Sequence, residues 1–181
     1  MTTQSPPISG RYAADPIHSN VGFAVKYMGV STLRGTFGAV SAKLEGRPDG
    51  VALTGAAEVE SISIRTPEQL RAHVLGEQFF AADAHPQITF TASDVMLGQD
   101  AAASVDGALT IKGTTRPVTA QGTWSPPVAD PTGKTRSHLA LQATLNRRDY
   151  GITWDAPLPN GGSALADEVA ITVELALVAQ K

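Results

Sequence analysis

The strongest constraint on the fold is a repeat of apolar side chains at every second position near the end of the chain. Between positions 169 and 177 alternate residues are apolar, and Thr172 and Glu174 fall between them. Successive side chains of a strand point to opposite faces of a sheet, so this pattern predicts a strand with one buried face.

The same alternation appears in three earlier segments, residues 21–28, 88–93 and 139–146. Turn signals separate the segments, for example Gly-Arg-Pro-Asp-Gly at 46–50. No long helical pattern alternates with them, so the chain is predicted to be all-β. An antiparallel sheet, a sandwich and a barrel are all compatible with this pattern.

One segment departs from the alternation and is predicted to form a short helix over about residues 67–75. Thr66 is a suitable N-cap, and Pro67 would occupy the first helical position. Gln69 stands three residues after Thr66, as in a capping box. Gly76 follows the last turn, where helices commonly end.

The chain as a whole is predicted to form one domain. Its 181 residues fit a prior of roughly 150 residues per domain. Residues 1–9 are polar, contain two adjacent prolines and show no periodicity, so we expect a flexible N-terminal tail. Residues 10–181 then form the folded domain, and residues 126–133 are expected to be a surface loop.

Composition excludes several classes of function. A net charge of −3 argues against a nucleic-acid-binding protein, which normally presents a basic face. The absence of cysteine excludes disulfides, thiolate zinc sites and iron–sulfur clusters. No apolar run approaches the roughly 18 residues of a membrane span, and no secretory signal is visible at the start of the chain. We therefore expect a soluble, cytoplasmic protein without a cofactor.

Small residues in the strands bear on the interior of a barrel. Ala92, Ala120, Gly122 and Ala143 have the inward parity, and aromatic residues make up only 6% of the chain. Small inward residues leave space unless neighbouring strands fill it, which favours a ligand cavity over a packed interior. The alternative is that they mark barrel corners and tight sheet packing.

Polar residues offer few candidates for catalysis or metal binding. Asp15, His18 and Ser19 lie close in sequence, but a catalytic triad is recognised by spatial geometry. A turn in which Asp15 and Ser19 bond nearby backbone groups is therefore the favoured interpretation. The four histidines lack the spacing of metal ligands, so we expect no metal site.

Two further groups have both a structural and a functional interpretation. Arg147 and Arg148 end an alternating strand, and the planar fork of arginine suits phosphate or carboxylate recognition. The commoner alternative is that both arginines pair with nearby acids. Phe79, Phe80 and Trp154 either pack in the core or surround the mouth of a barrel.

Several short motifs stand out between the tail and the last strand. They are Asp15-Pro16-x-His18-Ser19 with the V-G-F-A-V-K-Y-M-G-V-S that follows, Arg34-Gly35-x-Phe37, Glu77-Gln78-Phe79-Phe80, His85-Pro86-x-Ile88-x-Phe90, Leu109-Thr110-Ile111-Lys112-Gly113 and Arg148-Asp149-Tyr150-Gly151-Ile152. Over roughly residues 10–178 their order resembles that of the YceI-like proteins.

The resemblance implies an eight-stranded, lipocalin-like antiparallel β-barrel with a short helix near one end. It also implies that a long isoprenoid chain, such as a polyprenyl phosphate or a quinone tail, binds along the interior. No reaction is established for the family as a whole, so we expect binding without catalysis. At the helix, Arg71 replaces the acid that relatives often carry near the equivalent of His73, which would suit an anionic head group.

We therefore predict two sets of ligand contacts. The isoprenoid tail is expected to contact Phe23, Val25, Tyr27, Phe37, Phe90, Ile111, Trp124, Leu141, Trp154, Val173 and Leu175. The head group is expected to lie near Arg71, His73, Arg147 and Arg148.

Other functions remain open from the sequence. An enzyme acting on a small isoprenoid or polyketide-like substrate would use His73 or His18 as its general acid or base. A barrel with a packed interior would instead serve as a protein-interaction module. A homodimer is also compatible with the sequence, since an apolar rim at a lipid-loading mouth favours association.

Overall fold

A computed structural model describes residues 7–181, and its regular structure is mostly β-strand. The helix α1 spans Glu68–Leu75, and short 3-10 turns cover Val59–Ser61 and Arg147–Tyr150. The strands are β1 (Gly10–Ala14), β2 (Asn20–Tyr27), β3 (Ser31–Phe37), β4 (Val40–Arg47), β5 (Gly50–Glu58), β6 (Gln87–Leu97), β7 (Ala102–Ile111), β8 (Thr114–Ala129), β9 (Thr135–Asn146) and β10 (Leu165–Ala179).

These ten segments form a barrel of eight strands. The count is eight because the first two barrel strands are each broken into two pieces. β1 and β2 are successive parts of one strand, and β3 and β4 are parts of the next; β2 pairs with β3 and β1 pairs with β4. The strands from β4 to β10 pair antiparallel in chain order, and β10 pairs with both β1 and β2. The eight-stranded antiparallel barrel that the resemblance implied is therefore confirmed.

The break between β1 and β2 has a local cause in its polar residues. The Asp15 carboxylate accepts a hydrogen bond from the backbone N–H of Ile17 at 2.9 Å. The Ser19 hydroxyl accepts one from the backbone N–H of Ala176 on β10 at 3.0 Å. The bond to Ile17 confirms the turn interpretation for Asp15, whereas Ser19 bonds a backbone group that is distant in sequence and not a local one.

The two ends of the barrel are built differently. The upper end, as we define it, carries the β2–β3 turn, α1 and the segment between β9 and β10, whereas the lower end carries the start of β1 and the end of β10. At the upper end, β3 is hydrogen-bonded to β2 and to no other described strand. Only Thr36 and Phe37, at the end of β3, also contact Ile62 and Ser63 on the opposite side, among the described residues. The lower wall is thus continuous, while the upper part of β3 has a free edge among the described residues.

The predicted helix is present, but its N-terminal cap differs from the prediction. α1 begins at Glu68, Pro67 occupies the N-cap position, and no side chain caps the helix. Pro67 has an extended backbone, with ψ at 155°, so Thr66 lies outside the position from which it would form a capping box with Gln69. Gly76 ends the helix as predicted.

Two other boundaries also differ from the sequence-based prediction. β8 continues to Ala129, so much of the predicted loop over residues 126–133 is strand; a bulge between Ser125 and Val128 accommodates the prolines there. Residues 1–6 of the predicted tail lie outside the described residues. Ile8 is buried in the core, so it is not part of a flexible tail.

Candidate functional site

An apolar cavity of about 210 Å³ extends from the middle of the barrel to its upper end. Arg147 is the one charged residue on its lining in the described part of the chain. The lining includes eight of the predicted tail contacts, Phe23, Val25, Phe37, Phe90, Ile111, Leu141, Val173 and Leu175. That these side chains contact a lipid stays a prediction.

Three of the predicted tail contacts lie away from the cavity lining. Tyr27 has the same parity as Val25, but it is the last residue of β2, past the cavity, and is 43% exposed. Trp124 is buried toward the lower end, where its Nε1 donates to the Gly98 carbonyl at 2.9 Å. Trp154 lies between β9 and β10 and packs on other rings at the upper end.

The small inward residues fall into two groups. Ala120 and Ala143 line the cavity, as the preferred interpretation required. Ala92 is buried in the core but is not on the lining. A Cβ atom added to Gly122 would lie 1.8 Å from the Ala140 carbonyl oxygen, so Gly122 allows two strands to approach closely. The alternative of tight sheet packing therefore applies at Gly122.

The upper end of the cavity is covered by residues from outside the strands. Phe79 and Phe80 both line the cavity, and the Phe80 ring packs edge-on against Phe37 with centroids 5.8 Å apart. Phe79 and Phe80 thus take part in packing and in closing the cavity at once. Sequence analysis did not identify the remaining cover residues, which have no alternating pattern around them: Ile64, Val74 and Ile152.

His73 belongs to a group of three rings above this cover, which we call the aromatic cluster: His73, Phe79 and Trp154. The His73 ring lies edge-on to both neighbours, with centroids 4.9 Å from Phe79 and 5.5 Å from Trp154. Phe79 and Trp154 are themselves 5.5 Å apart. The cluster offers flat apolar faces and one imidazole beside the cavity.

Arg147 is only 3% exposed, and its guanidinium is occupied by backbone carbonyls. Nε donates to Ala166 at 2.8 Å, and Nη1 donates to Ile152 and Trp154 at 2.9 and 2.7 Å. Nη2 donates to Leu165 at 3.1 Å and approaches the Asp167 carboxylate at 3.5 Å. A guanidinium has five N–H donors, so no donor is left for a head group.

Burial has a second consequence for Arg147. Desolvation lowers the pKa of its guanidinium, and the charge of the neighbouring Arg148 acts in the same direction. The four carbonyls compensate with their dipoles. The position that the sequence suggested for an anion is therefore a structural tie between the β9–β10 segment and β10.

The other two arginines of the predicted head-group set are also engaged. Arg148 is exposed and donates to Asp167 at 2.6 Å, and its guanidinium lies 3.5 Å from the Asp155 carboxylate. This arrangement matches the alternative interpretation, in which Arg148 pairs with nearby acids. Arg71 turns back from α1 and donates to the carbonyls of Glu60 and Ile64 at 2.8 and 3.2 Å. His73 is the one member of the set whose side chain forms no hydrogen bond within residues 7–181.

Tyr150 is a feature of the upper end that sequence analysis did not single out. Its ring packs with Ile111 and Ile152, and its hydroxyl is buried without a hydrogen-bond partner among the described residues. Burial raises the pKa of this phenol. The motif that contains Tyr150 drew attention for its arginines, and nothing in the residue types predicted where the hydroxyl would lie.

His18 lies on the outer surface, apart from the cavity lining. Its Nδ1 is 2.8 Å from the Asp15 carboxylate, which also accepts from Arg136 at 3.3 Å. The hydrogen bond with His18 is the main reason why the pKa of Asp15 falls to about 2. Asp130 also pairs with Arg136, which lowers the pKa of that carboxyl.

We expect the Asp15→Asn variant to lose part of the acid sensitivity of the barrel. In the wild type, the pKa of the Asp15 carboxyl falls from an ordinary 3.8 to about 2 in the folded chain. The ionised carboxylate therefore stabilises the fold above about pH 4. That contribution disappears as the pH falls toward about 2. Urea midpoints should therefore fall less steeply with pH in Asp15→Asn than in the wild type. Asp49→Asn, in the exposed β4–β5 turn, is the control; an equal change of slope in both variants would contradict the assignment.

Two other features of the described residues bear on the site. Within residues 7–181 no group of three or more His, Asp and Glu side chains is arranged to hold a metal ion. No helix in that range is long and apolar enough to cross a membrane.

Two staphylococcal proteins are similar to this chain in sequence over most of its length. The chain is 29% identical over 162 residues to a UPF0312 protein of Staphylococcus epidermidis, which covers 88% of this chain and 92% of the relative. A UPF0312 protein of Staphylococcus aureus is 30% identical over 161 residues, covering 87% and 91% of the two chains.

Solved structures with low sequence identity share the fold. BcnA of Burkholderia cenocepacia superimposes with a TM-score of 0.73 at 24% identity, covering 92% of this chain and 99% of BcnA. A polyisoprenoid binding domain from Saccharophagus degradans superimposes with a TM-score of 0.62 at 14% identity, covering 93% and 98%. The model of the YceI-like domain matches residues 12–177. The chain therefore belongs to the YceI-like family.

Proposed function

We propose that the barrel binds an isoprenoid lipid with its tail in the cavity and its head group at the upper end, and that it does so without catalysis. The observation that carries the proposal is the apolar cavity, because the one charged residue on its lining in residues 7–181 is Arg147, whose donors are all engaged. The polyisoprenoid binding domain from Saccharophagus degradans, with the same fold, supports the ligand class.

The energetics favour an apolar chain as the occupant. Each methylene-sized group that leaves water contributes about 0.8 kcal/mol, so a few isoprene units suffice for useful affinity. The volume of about 210 Å³ lies below the roughly 300–1,000 Å³ of common small-molecule sites. A slender chain therefore fits better than a bulky ligand, and a long chain requires rotation of cover residues such as Phe80.

The polar contacts favour an uncharged head group over a phosphate. All the donors of Arg147 are engaged, both terminal nitrogens of Arg71 donate to backbone carbonyls, and Arg148 is paired with Asp155 and Asp167. An anion bound by these three arginines would have to displace those partners. A quinone-like ring could instead stack on the aromatic cluster, which needs no charge.

Single-tryptophan variants test this orientation. The chain has two tryptophans, so Trp124→Phe leaves only Trp154 as a reporter at the upper end, and Trp154→Phe leaves only Trp124 at the lower end. A short-chain prenylated benzoquinone should quench the emission of Trp124→Phe strongly and that of Trp154→Phe weakly. Farnesyl phosphate should bind about tenfold more weakly than the quinone.

Mass spectrometry of the purified protein, intact and after solvent extraction, identifies any lipid that copurifies. An isoprenoid with an uncharged ring is the expected species. Farnesyl phosphate binding as tightly as the quinone would overturn the head-group assignment. Failure of both probes to bind, together with an extract free of isoprenoids, would overturn the lipid-binding proposal.

The positions of His18 and His73 bear on the alternative that the protein is an enzyme with one of them as its general acid or base. His18 is exposed on the outer surface beside Asp15 and is absent from the cavity lining. His73 is also absent from the cavity lining, but its ring packs on Phe79, which lines the cavity, whereas His18 bonds Asp15 on the outer surface. We therefore propose His73 as part of the binding site, where its ring packs on Phe79 and Trp154.

A further inference from the structure

The turn between β2 and β3 exposes apolar side chains at the upper end of the barrel. We call residues 27–30 the hairpin tip: Tyr27 and Met28 are each 43% exposed, and Val30 is 87% exposed. Isolated apolar residues on a surface are ordinary, but these occupy one tight turn beside the cavity.

The hairpin tip is a tight turn. Met28 and Gly29 both have positive φ, 57° and 72°, like the two central residues of a type I′ turn. The backbone N–H of Met28 donates to the Ala164 carbonyl at 2.7 Å, which ties the turn to the segment before β10. Val30 thus projects almost fully into solvent, whereas Tyr27 and Met28 are each partly covered.

The charges around the hairpin tip have one predominant sign. From position 20 to position 37 the hairpin contains Lys26 and Arg34 and no acidic residue. Both cations are exposed, and neither forms an ion pair with another residue in the described part of the chain. On the adjacent strand β10, Asp167 is paired with Arg148, and Glu168 and Glu174 are the other acids of that strand.

The same hairpin connects the tip to the cavity. Val25 and Leu33 are paired across β2 and β3, and both line the cavity. Leu33 is three residues from Val30, a distance of roughly 10 Å along a strand. Interfacial amphipathic helices bury their apolar faces about 5–10 Å into a bilayer, and insertion of the tip to a similar depth would bring the cavity to the level of the lipid head groups.

We propose that the hairpin tip docks on the surface of an anionic lipid bilayer, with Met28 and Val30 inserted and Lys26 and Arg34 facing the head groups. This proposal rests on the proposed function, because a bilayer is the phase from which an isoprenoid would be taken up. An apolar tip flanked by cations matches an anionic interface in both hydrophobicity and charge.

Cosedimentation with vesicles of phosphatidylglycerol and phosphatidylethanolamine tests the docking surface. The tip variant Met28→Asn/Val30→Ser should bind about tenfold more weakly than the wild type, and asparagine suits the positive φ at position 28. The matched control is Met96→Ser/Val128→Ser, which alters two side chains that are 67% and 64% exposed near the lower end. This control should bind vesicles as tightly as the wild type does. Added salt should weaken the vesicle binding of the control and of the wild type.

Several results would overturn the docking proposal. These are equal loss of binding in the two variants, no loss in the tip variant, and no vesicle binding by the wild type. A wild-type dimer that becomes monomeric in the tip variant, without vesicle binding, would show that a second copy covers the tip. Tryptophan quenching by the quinone added from ethanol separates the two proposals. The tip variant should show the same tryptophan quenching as the wild type. If the quinone does not quench tryptophan emission in the wild type, that result would count against the lipid-binding proposal.

Discussion

Replacing Arg147 with methionine is expected to destabilise the barrel by about 3–5 kcal/mol. Methionine retains an unbranched apolar stem but removes the donors to the carbonyls of Ile152, Trp154, Leu165 and Ala166. Each buried carbonyl left without a donor costs about 1–3 kcal/mol, and water can reach some of them after local opening. The expected loss is therefore smaller than the sum of four broken hydrogen bonds.

Urea unfolding of matched variants measures this effect. Arg148→Met removes an adjacent arginine that is exposed and paired with acids, so its cost should stay below about 1 kcal/mol. Arg147→Lys should recover little, because an ammonium group cannot reproduce the planar fork. Equal midpoints for Arg147→Met and Arg148→Met would show that the carbonyl contacts of Arg147 contribute little to stability.

Filling the cavity is expected to abolish lipid binding while the barrel stays folded. Leu141 and Val173 both line the cavity and face each other across β9 and β10. The double variant Leu141→Trp/Val173→Trp places two large rings side by side in the middle of the cavity. We expect affinity for the quinone to fall by at least about a hundredfold, with an overpacking cost of about 1–3 kcal/mol.

The same pair of strands provides the control for this variant. Gln142 and Thr172 are the neighbouring register partners, and both are exposed on the outer face. Gln142→Trp/Thr172→Trp adds the same rings to the same strands without entering the cavity. Native mass spectrometry should find lipid with the control and none with the filled variant. Lipid retained by a folded Leu141→Trp/Val173→Trp protein would show that the ligand does not lie in the cavity.

The faces of the strands could be predicted because alternation reports them directly. Leu141 and Val173 were assigned to the interior from parity alone, and both line the cavity. Parity says nothing about where a cavity stops, however. Tyr27 has the inward parity but lies at the rim, and Trp124 is buried below the cavity. These differences depend on strand length and register, which a periodic pattern does not contain.

The polar part of the site was harder to predict, because the partners of a side chain are brought together by tertiary structure. Arg147 and Arg148 are adjacent and chemically identical, yet one is buried among carbonyls and the other is exposed beside two acids. The strand ends at this point, so alternation no longer determines which side chain turns inward. Arg71 likewise contacts a segment that only the fold places beside α1.

The free edge of β3 has a consequence for the rate at which an occupant enters and leaves. A wall strand that is paired on both sides can move outward only if two hydrogen-bonded ladders break. The upper part of β3 is paired with β2 alone, so the hairpin can swing outward after losing only side-chain contacts on its other side. Local opening of this kind requires less free energy than unfolding of the whole domain. We therefore expect the residence time of a ligand to depend on opening at this free edge of β3 and not on the stability of the whole barrel.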